Sequence, residues 1–291
     1  MKQADLRGLV VSAVVVSIGA ALALAGSSGG HRVAGVPIYA MCVAVAFLIQ
    51  WTAFVPAWRN RTETFYDLTG GLTYITVTLL AVSLTPDVDT RSLVLAGMVI
   101  VWAVRLASFL FLRIRAAGED RRFREIKQVF GRFLVAWTLQ GLWVAFSLAA
   151  ALAVITSTRR VALDVWAGVG SLVWLAGFAV EVIADRQKSA FNAKAENKGR
   201  FISTGLWSWS RHPNYFGEIV LWIGVAIVSL PVLRGWQYAT LISPVFIIVL
   251  LTRISGVPLL EKRADEKWGG QAEYEAYKTR TSVLVPRPPT T

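Results

Sequence analysis

Eight apolar runs, at residues 9–25, 36–55, 72–84, 93–112, 133–155, 163–184, 215–230 and 238–256, limit what this chain can fold into. Most reach the roughly 20 residues that an α-helix needs to cross a bilayer. The run at 72–84 borrows residues 65–71 to do so, and 215–230 is short. Strict alternation is absent and the runs are too long for strands, so a sheet is excluded as the spanning element. With 55% hydrophobic and 16% charged residues and a mean hydropathy of +0.54, the chain lies far from soluble domains. The expected fold is an all-α polytopic membrane helix bundle of eight spans, or seven plus a half-inserted helix.

The basic residues orient it. Of the 30 Lys and Arg, 23 fall at the N-terminus and in the segments 59–61, 113–132, 185–214 and 257–291, and 5 fall in the intervening loops. Basic residues collect on the cytoplasmic side, which makes the chain N-in and C-in. The net charge of +12 then follows from topology and from contact with anionic lipid. Without a recognisable binding module it gives no case for nucleic acid. The single Cys42 and the two histidines, His31 and His212, provide neither a disulfide framework nor a cysteine or histidine metal centre. The first span resembles a signal peptide, with Lys2 and Arg7 before an apolar stretch and Ala23-Leu24-Ala25 after it; a retained helix is the favoured reading. The tail at 287–291 is expected to be disordered.

Polar side chains in this setting are costly and mark candidate sites. Ser210-Arg211-His212-Pro213-Asn214-Tyr215-Phe216-Gly217-Glu218 stands directly before the apolar stretch 219–230. Pro213 suits the first turn of a helix, which leaves Arg211 and His212 just outside it. Free N–H groups at a helix start attract phosphate, and a neighbouring Arg strengthens that attraction. Asn214 and Glu218 are four apart and share a helix face. Glu181 and Asp185 repeat that spacing at the cytoplasmic end of the sixth run. Arg105 lies within the fourth run on one face with Trp102, Phe109 and Arg113. Asp67 is expected to cap the third helix. A charged turn is read at Gly118-Glu119-Asp120-Arg121-Arg122-Phe123. An amphipathic helix from Glu261 through Trp268 to Tyr277 is expected to lead into a turn, Val283-Leu284-Val285-Pro286, that folds back.

Together these motifs carry a family resemblance over about 54–286. Trp207-Ser208-Trp209-Ser210-Arg211-His212-Pro213-Asn214-Tyr215-Phe216-Gly217-Glu218 resembles the hallmark of the bacterial membrane family called domain of unknown function 1295. So do Phe65-Tyr66-Asp67-Leu68-Thr69-Gly70, Trp102-Ala103-Val104-Arg105-Leu106 and the segment 118–123. On this reading residues 1–53 are N-terminal spans and 54–286 a domain similar to the C-terminal region of steroid 5-alpha-reductases. Those are membrane enzymes that reduce a conjugated C=C bond with NADPH. The resemblance implies that Asn214 and Glu218 line an NADPH pocket, with Arg105 and Asp185 as further cofactor contacts and Glu181 and Arg113 standing where the reductases carry Asn; in the reductase reading Arg211 and His212 hold the phosphates. It implies a bacterial inner-membrane protein whose pocket faces the cytoplasm. At the substrate end the pattern departs. The reductases' Gln-Glu dipeptide on the second span becomes Gln50-Trp51, and Trp102 takes the place of a tyrosine. Tyr66, Asp67 and Glu218 are then the candidates for catalytic proton handling.

The leading reading is a reductase acting on a small, lipid-soluble enone taken from the bilayer. No Gly-x-Gly-x-x-Gly follows a strand, so a Rossmann enzyme is excluded. The alternative is an S-adenosylmethionine-dependent methyltransferase, because Arg211-His212-Pro213-x-Tyr215 also resembles isoprenylcysteine and phospholipid methyltransferases. Those follow their last span with paired glutamates, and here the pair reads Glu261-Lys262. The third reading is a non-catalytic lipid-binding bundle that binds neither cofactor. The sequence carries no signature of oligomeric state.

Overall fold

A computed structural model describes residues 3–117 and 123–289, with the side chains of 113–117 excepted. Its helices are α1 (Gln3–Gly26), α2 (Ile38–Arg59), α3 (Tyr66–Leu84), α4 (Thr90–Ala117), α5 (Phe130–Ser147), α6 (Ala149–Ile155), α7 (Val165–Ala193), α8 (Pro213–Ser229), α9 (Ile242–Val249), α10 (Val257–Trp268) and α11 (Ala272–Arg280). Among the described residues, six helical stretches are long and apolar enough to cross a membrane: α1 to α4, α7 and the continuous run Gly235–Trp268. A seventh forms if α5 and α6, bent by 56°, make one span, and α8 is a shorter apolar helix. Each of the eight apolar runs thus forms helix over most of its length. A two-stranded hairpin, β1 (Arg32–Val33) and β2 (Val36–Pro37), lies in the loop after α1, and the alternation test misses strands this short. Its two-residue turn places both Ala34 (φ 47) and Gly35 (φ 82) at positive φ, as a primed hairpin turn requires.

The chain divides into two compact units, residues 1–167 with 228–243, and 168–227 with 244–291. In the first unit, α1 meets α5 backbone to backbone. A Cβ added at Gly8 would lie 2.4 Å from the Gly131 Cα. Asp5 Oδ1 accepts the Gly131 N–H at 3.1 Å and so satisfies a donor in the first turn of α5. Phe54, Phe133, Trp137 and Phe123 form an aromatic core there. All seven residues of α6 are buried, as expected of a helix apolar on every side. At the bend before α6 the Ser243 hydroxyl donates to the Ser147 carbonyl, the kind of side-chain contact with the helical ladder that accompanies kinks.

Arg91, read from the sequence as a loop residue, is the second residue of α4 and is 1% exposed. It donates to the carbonyls of Val161 (3.1 Å), Val228 (2.7 Å) and Ala162 (2.7 Å) and pairs with Asp164 at 2.8 Å. Four acceptors around one guanidinium satisfy a cation that would otherwise be costly to bury. The Arg91 hydrogen bond holds the Asp164 carboxyl below its ordinary range.

Candidate functional site

In the second unit, α7 and α8 approach so closely that only glycine fits at the contacts. A Cβ at Gly177 would lie 2.5 Å from the Leu221 N and 2.6 Å from the Gly217 O. One at Gly217 would lie 2.6 Å from both the Glu181 N and the Gly177 O, and one at Gly224 2.6 Å from the Trp174 N and 2.7 Å from the Gly170 O. Glycines seven apart on both helices (Gly170 and Gly177, Gly217 and Gly224) therefore form one close-packed seam, the small-residue packing that membranes favour. Glu181 sits one turn beyond Gly177 and Asp185 two, while Glu218 adjoins Gly217. All three acids are buried, at 2%, 6% and 7% exposure.

The entry to α8 is held from two sides. Trp207 donates its indole N–H to the Ala184 carbonyl (3.0 Å), and the Leu206 N–H reaches Gln187 Oε1 (2.9 Å), which fixes the entry against α7. From the other side the C-terminal turn folds back, as the sequence suggested. Arg211 N–H donates to the Ser282 O (2.9 Å), Ser210 Oγ to the Leu284 O (2.8 Å) and Arg287 N–H to the Trp209 O (3.0 Å). The expected single amphipathic helix is instead two, α10 and α11. Tyr277 on α11 donates to the Trp207 O at 2.7 Å, and burial pushes its phenol above the ordinary range. Pro213 opens α8, and Arg211 and His212 lie just outside the helix as expected.

Arg211 and His212 converge on Glu261, a residue read from the sequence as part of the amphipathic segment and as the one glutamate standing where the methyltransferases carry a pair. A π-helical turn at Leu250–Ile254 ends in Gly256, where a Cβ would lie 2.4 Å from the Leu251 O and 3.0 Å from Tyr215 Cε2. The Tyr215 ring stacks on His212 at 5.8 Å and 12°. Past this break α10 presents Glu261, with Oε1 2.7 Å from His212 Nε2 and Oε2 2.7 Å from Arg211 Nη1. The His212 contact is a hydrogen bond. The Arg211 contact is an ion pair without a hydrogen bond. Among the described residues, Arg211 Nε, His212 Nδ1 and Asn214 Oδ1 are buried without a hydrogen-bond partner.

The remaining candidates lie in the first unit. Tyr66 donates its hydroxyl proton to the Ala136 O at 2.9 Å, and its ring packs on Phe123 and Trp137. Asp67 does not occupy the cap position: α3 starts at Tyr66, the cap residue is Phe65, and no side chain caps it. Asp67 is the helix's second residue, where a negative charge still favours the helix dipole. Arg105 lies half-buried, with its guanidinium 5.3 Å from the Phe109 ring centre. Arg113 lies on α4, and its side chain is outside the described residues, as is the charged turn at 118–122. Gln50 and Trp102 are buried, the first donating to Thr73 Oγ1 at 2.7 Å and the second packed edge-on against Tyr74.

The fold and this cluster define an all-helical polytopic membrane protein that buries acids on a glycine-packed helix pair. Residues 53–281 match the family model described as "Protein of unknown function (DUF1295)", and the chain belongs to that family. It is also similar to a 3-oxo-5-alpha-steroid 4-dehydrogenase 1 of Bos taurus, 26% identical over 117 residues. That alignment covers 40% of this chain, and the chain spans only 40% of the length of this curated relative. No solved structure matches.

Proposed function

We propose that the chain is a membrane-embedded, NADPH-dependent reductase of an activated C=C bond in a lipid-soluble enone, with its cofactor site open to the cytoplasm. The observation that carries this reading is the seam between α7 and α8, which buries Glu181, Asp185 and Glu218 and holds Asn214 with its amide oxygen unpartnered among the described residues. Dehydrated acids and an orphaned acceptor are poor structural choices in a membrane protein and good ones for a polar ligand. Similarity to a steroid dehydrogenase supports an oxidoreductase. The residues fit the cofactor: Arg211 supplies cationic and N–H character for phosphate or carbonyl oxygen, and Asn214 offers an acceptor to an amide N–H. When bound, NADPH supplies the hydride. Reduction also consumes one proton, which we assign to Glu218, because it shares a helix face with Asn214 whereas the Tyr66 proton is committed to Ala136.

The test is titration of the detergent-purified full chain with NADPH, beside Asn214→Ala and Glu218→Ala. Losing one buried hydrogen-bond partner costs about 1–3 kcal/mol, so Kd is expected to rise about 5- to 150-fold. Unchanged Kd in both variants removes the site assignment. One observation favours the second reading, methyl transfer from S-adenosylmethionine: Glu261, after the last apolar run at 238–256, touches both Arg211 and His212. Binding of S-adenosylmethionine without NADPH binding would establish it instead.

A further inference from the structure

His212 is 4% exposed, and its two ring nitrogens have different surroundings. Nε2 lies 2.7 Å from Glu261 Oε1, while Nδ1 is buried without a partner among the described residues. A carboxylate accepts and cannot donate, so the ring nitrogen facing it carries the proton. In the neutral ring Nδ1 is then a bare acceptor. Asn214 Oδ1, two residues on, is a second buried acceptor without a partner; of the buried Arg211 donors without a hydrogen bond, Nη1 faces Glu261 Oε2 at 2.7 Å, which leaves Nε as the one donor not engaged by Glu261. Two acceptors and one donor at the entry of one helix are the complement of a primary carboxamide, which offers two N–H groups and one carbonyl oxygen. A carboxylate of the same shape offers no N–H at all.

We infer that Glu261 is a positioning residue that fixes His212 as the Nε2–H tautomer, and that His212 Nδ1 and Asn214 Oδ1 together accept a carboxamide headgroup in preference to a carboxylate. Glu261 touches no ligand in this arrangement and acts through the imidazole, as carboxylates behind metal-bound histidines do. The assignment rests on the reductase reading and narrows it, because it names the end of the nucleotide that meets this entry.

Two measurements test it. The chain has two histidines, so 15N-histidine labelling of the full chain in lipid nanodiscs gives a spectrum that His31→Asn assigns. At about pH 8 the His212 signals should show a protonated Nε2 and a bare Nδ1, and a protonated Nδ1 overturns the inference. In Glu261→Gln the side-chain amide can accept or donate, so both tautomers should appear. The second measurement compares binding of NADP+ with nicotinic acid adenine dinucleotide phosphate, which differs only in carrying a carboxylate for the carboxamide. Wild type should prefer NADP+ at least about tenfold, the effect of one lost hydrogen bond among several. Glu261→Gln should reduce that preference while still binding NADP+. Equal affinity of wild type for the two nucleotides overturns the carboxamide assignment and leaves the reductase reading standing, since the shared adenine end then does the binding. Binding of neither overturns both. Should Glu261→Gln fail to fold, the wild-type tautomer and the wild-type preference still decide the matter.

Discussion

Gly217→Ala tests the architecture of the candidate site most directly. The added methyl carbon would lie 2.6 Å from two backbone atoms of α7, short of the 3.4 Å edge of ordinary contact by about 0.8 Å. Neither the Glu181 N nor the Gly177 O can rotate away, so α7 and α8 must separate by an amount of that order. Overpacking of this kind costs about 1–3 kcal/mol, and each kcal/mol moves Tm by about 2–4 °C in a chain of this size. A shift approaching 1 Å between the helix that carries Glu181 and Asp185 and the helix that carries Asn214 and Glu218 is also large for a binding constellation. We therefore expect a lower Tm and at least tenfold weaker NADPH binding. Gly168→Ala is the control, since it makes the same replacement in α7 with nothing within 4 Å of the new carbon. Alanine removes unfolded-state freedom there, so the control should be neutral or stabilising by about 0.4–1 kcal/mol. Thermal unfolding followed by tryptophan fluorescence, with NADPH titration in parallel, reads both effects. If Gly217→Ala matches Gly168→Ala in Tm and in Kd, the seam does not position the site. Combined with Gly177→Ala, the loss should be less than additive, because one separation relieves both clashes.

Three further outcomes follow from the first unit. Arg91→Met strips three carbonyls of their donor and should lower stability by on the order of 3 kcal/mol, measured as a fall in Tm in detergent. Asp164 adds a pH dependence to the same network. Its folded pKa is depressed from 3.8, so its contribution is complete above that value and is lost as pH falls through the lower folded one. Tm should therefore drop below about pH 4 in wild type, and that part of the drop should vanish in Asp164→Asn. Thr73→Val leaves Gln50 Nε2 without its acceptor, at a cost of about 1–2 kcal/mol for a hydrogen bond inside a membrane protein, and Gln50→Leu added to it should restore part of the loss.

What the sequence revealed and what it hid divide by distance along the chain. The helices were legible because each apolar run carries its own length and hydropathy, and the start of α8 was legible because Pro213 marks a first turn by itself. Asp67 was misplaced by two positions of local register: the cap is Phe65 and the helix begins at Tyr66, so the acid falls inside it. The bend before α6 has no Pro or Gly at residues 142–155 to announce it, and the Ser243 hydroxyl that meets the Ser147 carbonyl comes from 96 residues further on. Arg91 looked like a loop cation because the groups that bury it come from Val161 to Asp164 and from Val228. Glu261 was hidden for the same reason, lying 49 residues beyond His212 and past a π-helical turn with no sequence signature.

The glycine seam was visible but was not read, and it explains why the polar residues gather at one end of the helix pair. Gly224 meets Gly170 and Trp174, and Gly217 meets Gly177 and Glu181, so the helices run antiparallel in one register. The Trp207 indole on the Ala184 carbonyl continues that register beyond the start of α8. Asn214 lies between these last two contacts and therefore opposite the stretch 181–184. Contacts at the apolar end need no polar groups, because glycine backbones there pack against each other directly. At the other end the same close approach leaves acids on α7 facing the first turn of α8, where free N–H groups and Arg211 favour negative charge. A spacing of seven in two apolar runs, with Glu181 and Asp185 after the first pair of glycines and Glu218 beside Gly217 at the start of the second, thus marks both the helix pair and the end at which it buries its acids.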